Sequence, residues 1–420
     1  MRGGERVIRA DDSSRGNRWL EACSQQNQES YILLLLNIAL LVLVPRVFAM
    51  TVCDSYTASS RMIIRALQQN HIKEYTYTQK VNSRQHKTTS YGITPIGLKF
   101  LADNYKLVPE TYQWIKDVGV SKELLRIKSK TFRSDYMERF LNINGSAFIA
   151  SMAGIEINPI LVDGSGQEQS QSLNQAIKTA WERNQGCKQG AEPQTLIYKN
   201  AYEIKRQLRE ITGEQNSFVA GRYTGIVETP YKTVLVYVGS RNGMAWSKKA
   251  TMPETRAHHA YDTHLSQYRT LRGGKNHGIM FVESPKMFAD LLLDKANKRK
   301  SEPFANCFDS FLIFPVSYVG TSQFITYMVT DQKAFEANLV NEAVASGIYQ
   351  NNTKYFPELF PLLTDNNIPI AIGVYTDTTK LNRMEQVVKK SNHPYGILCY
   401  PWQIDYYQRV YSDAVLMTVE

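Results

Sequence analysis

The sequence predicts a chain that is α/β overall: an N-terminal unit of helices closed by a hairpin, a helical connector, and a C-terminal mixed-sheet α/β domain. Three observations predict it. The 420 residues exceed the ~100–200 typical of one domain. Apolar residues recur at helical spacing through the first third, whereas short apolar runs alternate with helical patterns after Leu196. Between these parts, residues 161–195 are rich in Gln, Ser, Gly and Asn and poor in apolar side chains, the composition of a linker or insertion. The expected boundaries are a flexible segment at 1–28, the hairpin-closed unit at 29–105, the connector at 106–160, the linker at 161–195 and the α/β domain at 196–420.

Taken in order, Glu29-Ser30 offers an N-cap, and the apolar run Tyr31–Val44 reads as a first helix buried on nearly every side. As a membrane span the run is short of the ~20 residues a bilayer core requires, and Pro45-Arg46 closes it. Pro45 suits a first helical turn, so Pro45–Val52 reads as a second helix with Val47 and Phe48 turned toward the first. Asp54 or Ser55 caps a third helix, Tyr56–Asn70, whose inward stripe is expected to be Tyr56, Ser59, Met62, Ile63, Ala66 and Leu67. Its other face carries Thr57, Ser60, Arg61, Arg65 and Gln68. His71–Val81 and Thr88–Ile93 have the alternation of paired strands, joined by a basic tip that contains Arg84, His86 and Lys87, with Lys80 adding charge. Thr94-Pro95 then opens a closing helix.

Composition narrows the function. With 49 Lys and Arg against 39 Asp and Glu, the net charge of +10 favours polyanionic partners. The 5 cysteines never form a C-x-x-C pair, which argues against a disulfide framework or a zinc ribbon and for a reducing cytoplasm. On the polar face of the third helix, arginine can hold guanine through two hydrogen bonds and Ser or Thr can reach phosphate, while a basic hairpin tip suits the phosphate backbone or a minor groove.

The order helix, helix, polar helix, hairpin, followed by Tyr91-x-Ile93-Thr94-Pro95-x-Gly97-x-x-x-Leu101, resembles winged helix-turn-helix DNA-binding proteins of the regulator and plasmid-accessory kind. That resemblance implies double-stranded DNA as partner, with Thr57, Ser60, Arg61, Arg65, Gln68, Lys80, Arg84, His86 and Lys87 as the contact set.

The connector reads as helical from Val108 to Ile157, and it is basic, with Lys122, Arg126, Lys128, Lys130, Arg133 and Arg139. It is expected to be a solvated helical linker, with an extended DNA footprint or a dimer contact as the other readings. In the C-terminal domain Tyr202–Ile211 reads as a helix. Ser217–Val227, Thr233–Val238, His277–Glu283, Ser310–Val316, Thr321–Val329, Ile368–Tyr375 and Gly396–Tyr400 read as strands. Ser284-Pro285 caps a helix ending near Lys300, and Thr378–Lys390 is a further helix.

Chemistry-bearing constellations in that domain are sparse. Glu203-Ile204-Lys205 has the spacing of restriction-type nucleases, but it sits in a helical pattern rather than on a strand. Glu228 and Glu254 are the nearest further carboxylates, and cleavage would need acids converging on a cation. His258, His259 and His264 lack Cys and acidic partners at ligand spacing and read as a surface helix, and Arg272–Lys275 is too short for a phosphate cradle. No metal and no cofactor are expected. The Tyr-x-x-Glu-Ile-Lys helix, the Arg222–Ile226 strand and the Val-Tyr-Val-Gly strand before Trp246 are similar to two-domain replication or mobilisation accessory proteins of conjugative elements in Gram-positive bacteria. In those a winged helix joins an α/β domain of nuclease-like fold without its metal ligands.

The expected function is therefore sequence-specific DNA binding by a cytoplasmic regulator or accessory factor of a plasmid or other mobile genetic element. A homodimer and a protein partner on the C-terminal domain are expected, and no membrane. A metal-dependent nuclease with a winged-helix targeting domain is one alternative. The other is a membrane-anchored or secreted protein using the apolar segment 31–44.

Overall fold

The computed structural model describes residues 28, 30–41, 43–81, 84–105, 112–113, 134–152, 156–157, 197–213, 222–229, 232–239, 248–266, 277–292, 308–329, 332–391 and 393–419. The expectations for the segment at 1–27, the hairpin turn at Asn82-Ser83, most of the connector before Ser134, the linker at 161–195, the Arg272–Lys275 turn and the helix end near Lys300 lie outside these residues.

The apolar run forms α1 (residues 30–41), and its side chains from Tyr31 to Leu41 are buried. Pro45 does not start a helix as expected. It lies in a short strand β1 (Val44–Pro45), and only Arg46–Ala49 is helical, as α2. The reason is local: Pro45 has extended backbone geometry, φ −60° and ψ 141°, and β1 pairs with a strand arriving from the hairpin. α3 (Tyr56–Gln68) follows, then β2 (Ile72–Val81), β3 (Arg84–Ile93) and α4 (Pro95–Tyr105). The strands make a three-stranded sheet in the order β1-β3-β2, with Ile72 opposite Ile93 and Val81 opposite Arg84.

The inward stripe of α3 is Ser59, Met62, Ile63 and Ala66, as its spacing predicts, but Tyr56 is 66% exposed and so leaves that stripe. At the first helical position it precedes the turn that packs on α1. Gly97 of α4 sits where a Cβ would collide with the backbone of His71, which accounts for the glycine in the Thr-Pro-x-Gly motif. The Thr94 hydroxyl donates to His71 O at 3.1 Å and accepts from Gly97 N at 3.1 Å, fastening the hairpin's exit to the end of α3.

The expectation of a solvated connector is corrected over its described part. α5 (Ser134–Met152) is buried at nearly every residue from Phe140 to Met152. Its alternatives are surface face and core. An all-round apolar face such as Ala147-Phe148-Ile149-Ala150 belongs in a core. Asn144 donates to Leu41 O at 2.6 Å and to Leu43 O at 2.8 Å, where α1 ends and β1 begins. Gly145 lets Phe48 of α2 approach the α5 backbone. Ser146 bonds the Tyr198 hydroxyl at 2.8 Å on the other side.

That other side is a six-stranded sheet, ordered β4 (Glu156–Ile157), β5 (Ile197–Asn200), β6 (Gly225–Glu228), β7 (Thr233–Val238), β8 (His277–Val282) and β9 (Ser310–Pro315). β6 runs antiparallel to both neighbours, while β7, β8 and β9 are parallel. The strand expected from Ser217 is described only as Gly225–Glu228. Helices α6 (Ala201–Thr212), α7 (Lys248–His264) and α8 (Pro285–Leu292) connect these strands. Thr321–Val329, expected as a strand, is part of α9 (Tyr318–Val329). Its β-branched and aromatic content suggested a strand. Ser317 overrides it by accepting Gly320 N at 3.1 Å and starting a helix directly after β9.

α10 (Gln332–Ala345) leads to a five-stranded sheet, β10 (Tyr349–Asn351), β11 (Leu362–Thr364), β12 (Pro369–Ile372), β13 (Gly396–Cys399) and β14 (Val415–Thr418), in that order. α11 (Thr378–Ser391) and α12 (Ile404–Gln408) complete it. The two larger sheets are tied by Asp377 and Thr378, whose side chains bond Phe311 N at 3.4 Å and Phe311 O at 2.9 Å. One apolar cluster runs from α1 and α3 through Phe148 of α5 to Val236, Phe281, Phe314 and Ile372.

Candidate nucleic-acid interface

The residues expected to meet nucleic acid fall on two elements. On α3, Ser55 caps the helix with its hydroxyl 3.5 Å from Ala58 N, and the buried stripe holds the helix against α1. The opposite face presents Thr57, Arg61, Arg65 and Gln68 to solvent, with Ser60 half-buried beside them. Ile64 is exposed among these polar residues, at 49%. An exposed isoleucine within a basic face is a contact-ready feature that charge counting alone passes over.

Arg65 is oriented from beneath. Its guanidinium carbon lies 4.9 Å from the centroid of the Tyr31 ring, a cation–π placement that restricts the side chain while leaving its donors outward. The Tyr31 hydroxyl is 3.0 Å from Gln69 Oε1 and 2.7 Å from His71 Nδ1, and burial pushes its pKa up to about 12. His71 stacks on Phe100 with ring centroids 4.4 Å apart, and burial followed by the Arg65 charge lowers its pKa. The imidazole thus packs between Tyr31 of α1 and Phe100 of α4, where α3 passes into the hairpin.

On the hairpin, the register sets Thr78 opposite Lys87, Gln79 opposite His86 and Val81 opposite Arg84. Lys87 is exposed, whereas the side chains of Lys80, Arg84 and His86 lie outside the described residues.

Tyr56 and Lys87 line one cavity together with Arg46 of α2, an exposed arginine that the sequence alone did not single out. The signal for it was present: a basic residue at the first position of the helix preceding α3.

The carboxylates of the nuclease alternative are in structural use. Glu203 lies on α6, the helical setting expected. Glu228 is fully buried and accepts the Tyr261 hydroxyl at 2.7 Å and the Ser266 hydroxyl at 2.6 Å. Glu254 is also fully buried. It accepts Arg222 N and, at 3.0 Å, the Tyr237 hydroxyl, and burial raises its pKa. Lys205 faces the same interior, its pKa pushed down to about 7 by burial and then by the Arg139 charge. Among the described residues no group of three or more His, Cys, Asp and Glu side chains is placed to hold a metal ion. His258, expected on a surface helix, is buried, with Nδ1 3.3 Å from Asp262 and Nε2 3.2 Å from Thr233 O, while His259 and His264 are exposed.

Among the described residues no helix is long and apolar enough to cross a membrane, and the run at residues 31–41 packs inside the protein's own core. Compared with known proteins, the chain matches no family model, no curated protein and no solved structure.

Proposed function

We propose that this protein binds double-stranded DNA sequence-specifically through a winged helix-turn-helix at residues 29–105, with α3 in the major groove and the β2–β3 hairpin as the wing. The observation that carries the reading is the division of α3: Ser59, Met62, Ile63 and Ala66 anchor it, and Thr57, Arg61, Arg65 and Gln68 are exposed on its outer face, next in sequence to a basic hairpin. The element order α1-β1-α2-α3-β2-β3-α4 supports it, as does the net charge of +10. The protein acts in the cytoplasm as a regulator or as a replication or mobilisation accessory factor of a mobile element. It acts as a dimer, because one reading helix covers only half of a two-fold site.

Fluorescence anisotropy on a labelled duplex across a salt series tests the reading. Each lost phosphate contact lowers the slope of log affinity against log salt by ~0.9, so Arg61→Ala/Arg65→Ala is expected to reduce it by up to ~2 and to relax sequence preference. Lys87→Ala is expected to weaken all duplexes alike. Unchanged binding in both variants refutes the placement of helix and wing. A stable monomer by light scattering, free and on duplex, refutes the dimer.

A further inference from the structure

Between the N-terminal unit and the six-stranded sheet lies an open cavity of about 540 Å³. Its position follows from the topology. The residues that come directly after the parallel strands β7, β8 and β9, namely Gly239, Glu283 and Val316, line its floor. In open α/β sheets the crevice beyond the carboxyl ends of parallel strands is where ligands bind. The volume lies within the ~300–1,000 Å³ of small-molecule sites, which suits one nucleotide-sized ligand and not a duplex.

The lining is mixed in charge. Arg46 of α2 and Lys87 of β3, both exposed, bring positive charge to the lining. Glu138 of α5 and Glu283 after β8 bring carboxylates to it. Tyr56, Tyr77 and Tyr318 supply aromatic surface. Asn144 and Gly145 seat α5, which carries Glu138, against α1, β1 and α2, which carries Arg46.

We propose that this cleft binds a single nucleotide unit: a phosphate on Arg46 and Lys87, a base on the tyrosine faces, and the base's N–H donors on the carboxylates of Glu283 and Glu138. Guanidinium and ammonium groups form short charge-assisted bonds with phosphate, base–aromatic stacking needs no particular base, and a carboxylate accepts only from donors, as on the edge of guanine. The unit has two sources. It is a free nucleotide acting as an effector, or it is a nucleotide swung out of a bound strand. Only the second source rests on the DNA-binding reading above.

Isothermal titration calorimetry on the full-length protein tests the proposal with GMP, inorganic phosphate and a 12-nucleotide single strand containing dG. GMP is expected to bind, and Arg46→Ala to weaken both GMP and phosphate by about tenfold, the loss of one charge-assisted contact. Glu283→Gln is expected to weaken GMP but not phosphate. Where Arg46→Ala lowers the thermal midpoint, Lys87→Ala at its exposed strand position provides the same readout. Binding of GMP alone assigns an effector site, and tighter binding of the strand than of GMP assigns an extruded nucleotide. No heat from any probe, or binding that the Arg46 and Lys87 variants leave unchanged, overturns the proposal. Arg61→Ala/Arg65→Ala separates the two readings: it removes duplex binding if α3 reads DNA and leaves GMP binding intact if the cleft is the nucleotide site.

Discussion

Replacing Gly145 with alanine tests how tightly the N-terminal unit is seated on the rest of the protein. Two effects oppose each other. A mid-helix glycine is about 1 kcal/mol worse than alanine, so the substitution alone stabilises α5 by that amount. The added Cβ, however, falls 2.6 Å from Phe48 Cζ and closer still to Cε2 and Cδ2, well inside the ~3.5–4.0 Å of a carbon–carbon contact. Phe48 is 1% exposed and belongs to the main apolar cluster, so its ring has nowhere to swing. Overpacking of this kind costs about 1–3 kcal/mol, and a separation so short places it at the upper end. The net expectation is destabilisation by about 2 kcal/mol, read as a lower urea midpoint by circular dichroism. Phe48→Leu in the same background should recover about 1 kcal/mol relative to the sum of the single changes, because removing the ring relieves the clash. Gly145→Ala unfolding at or above the wild-type midpoint, or strict additivity with Phe48→Leu, would refute the close approach of α2 to α5.

Two further expectations concern the six-stranded sheet. Asn200 caps α6, its Oδ1 accepting Tyr202 N and Glu203 N at 3.0 Å each, so Asn200→Ala should cost about 1 kcal/mol in thermal unfolding while Asn200→Asp retains most of it; equal losses in both variants would remove the cap from the explanation. Lys205, with its pKa lowered from 10.5 to about 7, binds its proton more weakly folded than unfolded. Its contribution therefore rises as pH climbs from 7 toward 10.5 and is at its minimum below 7. Between pH 7 and 9 the wild type should gain roughly 1–2 kcal/mol relative to Lys205→Met, and parallel pH profiles of the two urea midpoints would show that the amine is not desolvated.

Much of the N-terminal unit was legible because its signals are local. The spacing Ser59-Met62-Ile63-Ala66 marks the buried side of α3, and Thr94-Pro95-x-Gly97 marks the hairpin's exit, where a backbone approach excludes any side chain. Tyr56 misled because periodicity alone sets it on the inward stripe, whereas at the first helical position it is exposed. α9 misled because a short run such as Phe324-Ile325-Thr326-Tyr327 fits a strand and a buried helix equally well, and only the Ser317 cap decides. The burial of α5 was hidden by the basic residues that precede it in the sequence, from Lys122 to Arg133. The division of the C-terminal part into two sheets was hidden because strand order is set by long-range pairing, as when β9 meets Asp377. At the candidate interface, Arg61 and Arg65 follow from spacing, but the cleft containing Arg46 and Glu283 is made by residues far apart in the chain.

The apolar cluster that threads α1, α5 and both larger sheets makes the boundary between the N-terminal unit and the body a thermodynamic fiction. A chain cut in the stretch before Ser134 would not release a transferable module. It would leave Leu43 without the side chains of Met137, Phe140 and Leu141, and the last turn of α1 without the amide of Asn144. Domain shuffling, in the laboratory or in descent, would have to carry α5 with the N-terminal unit, and then supply a new sheet for the helix's other face.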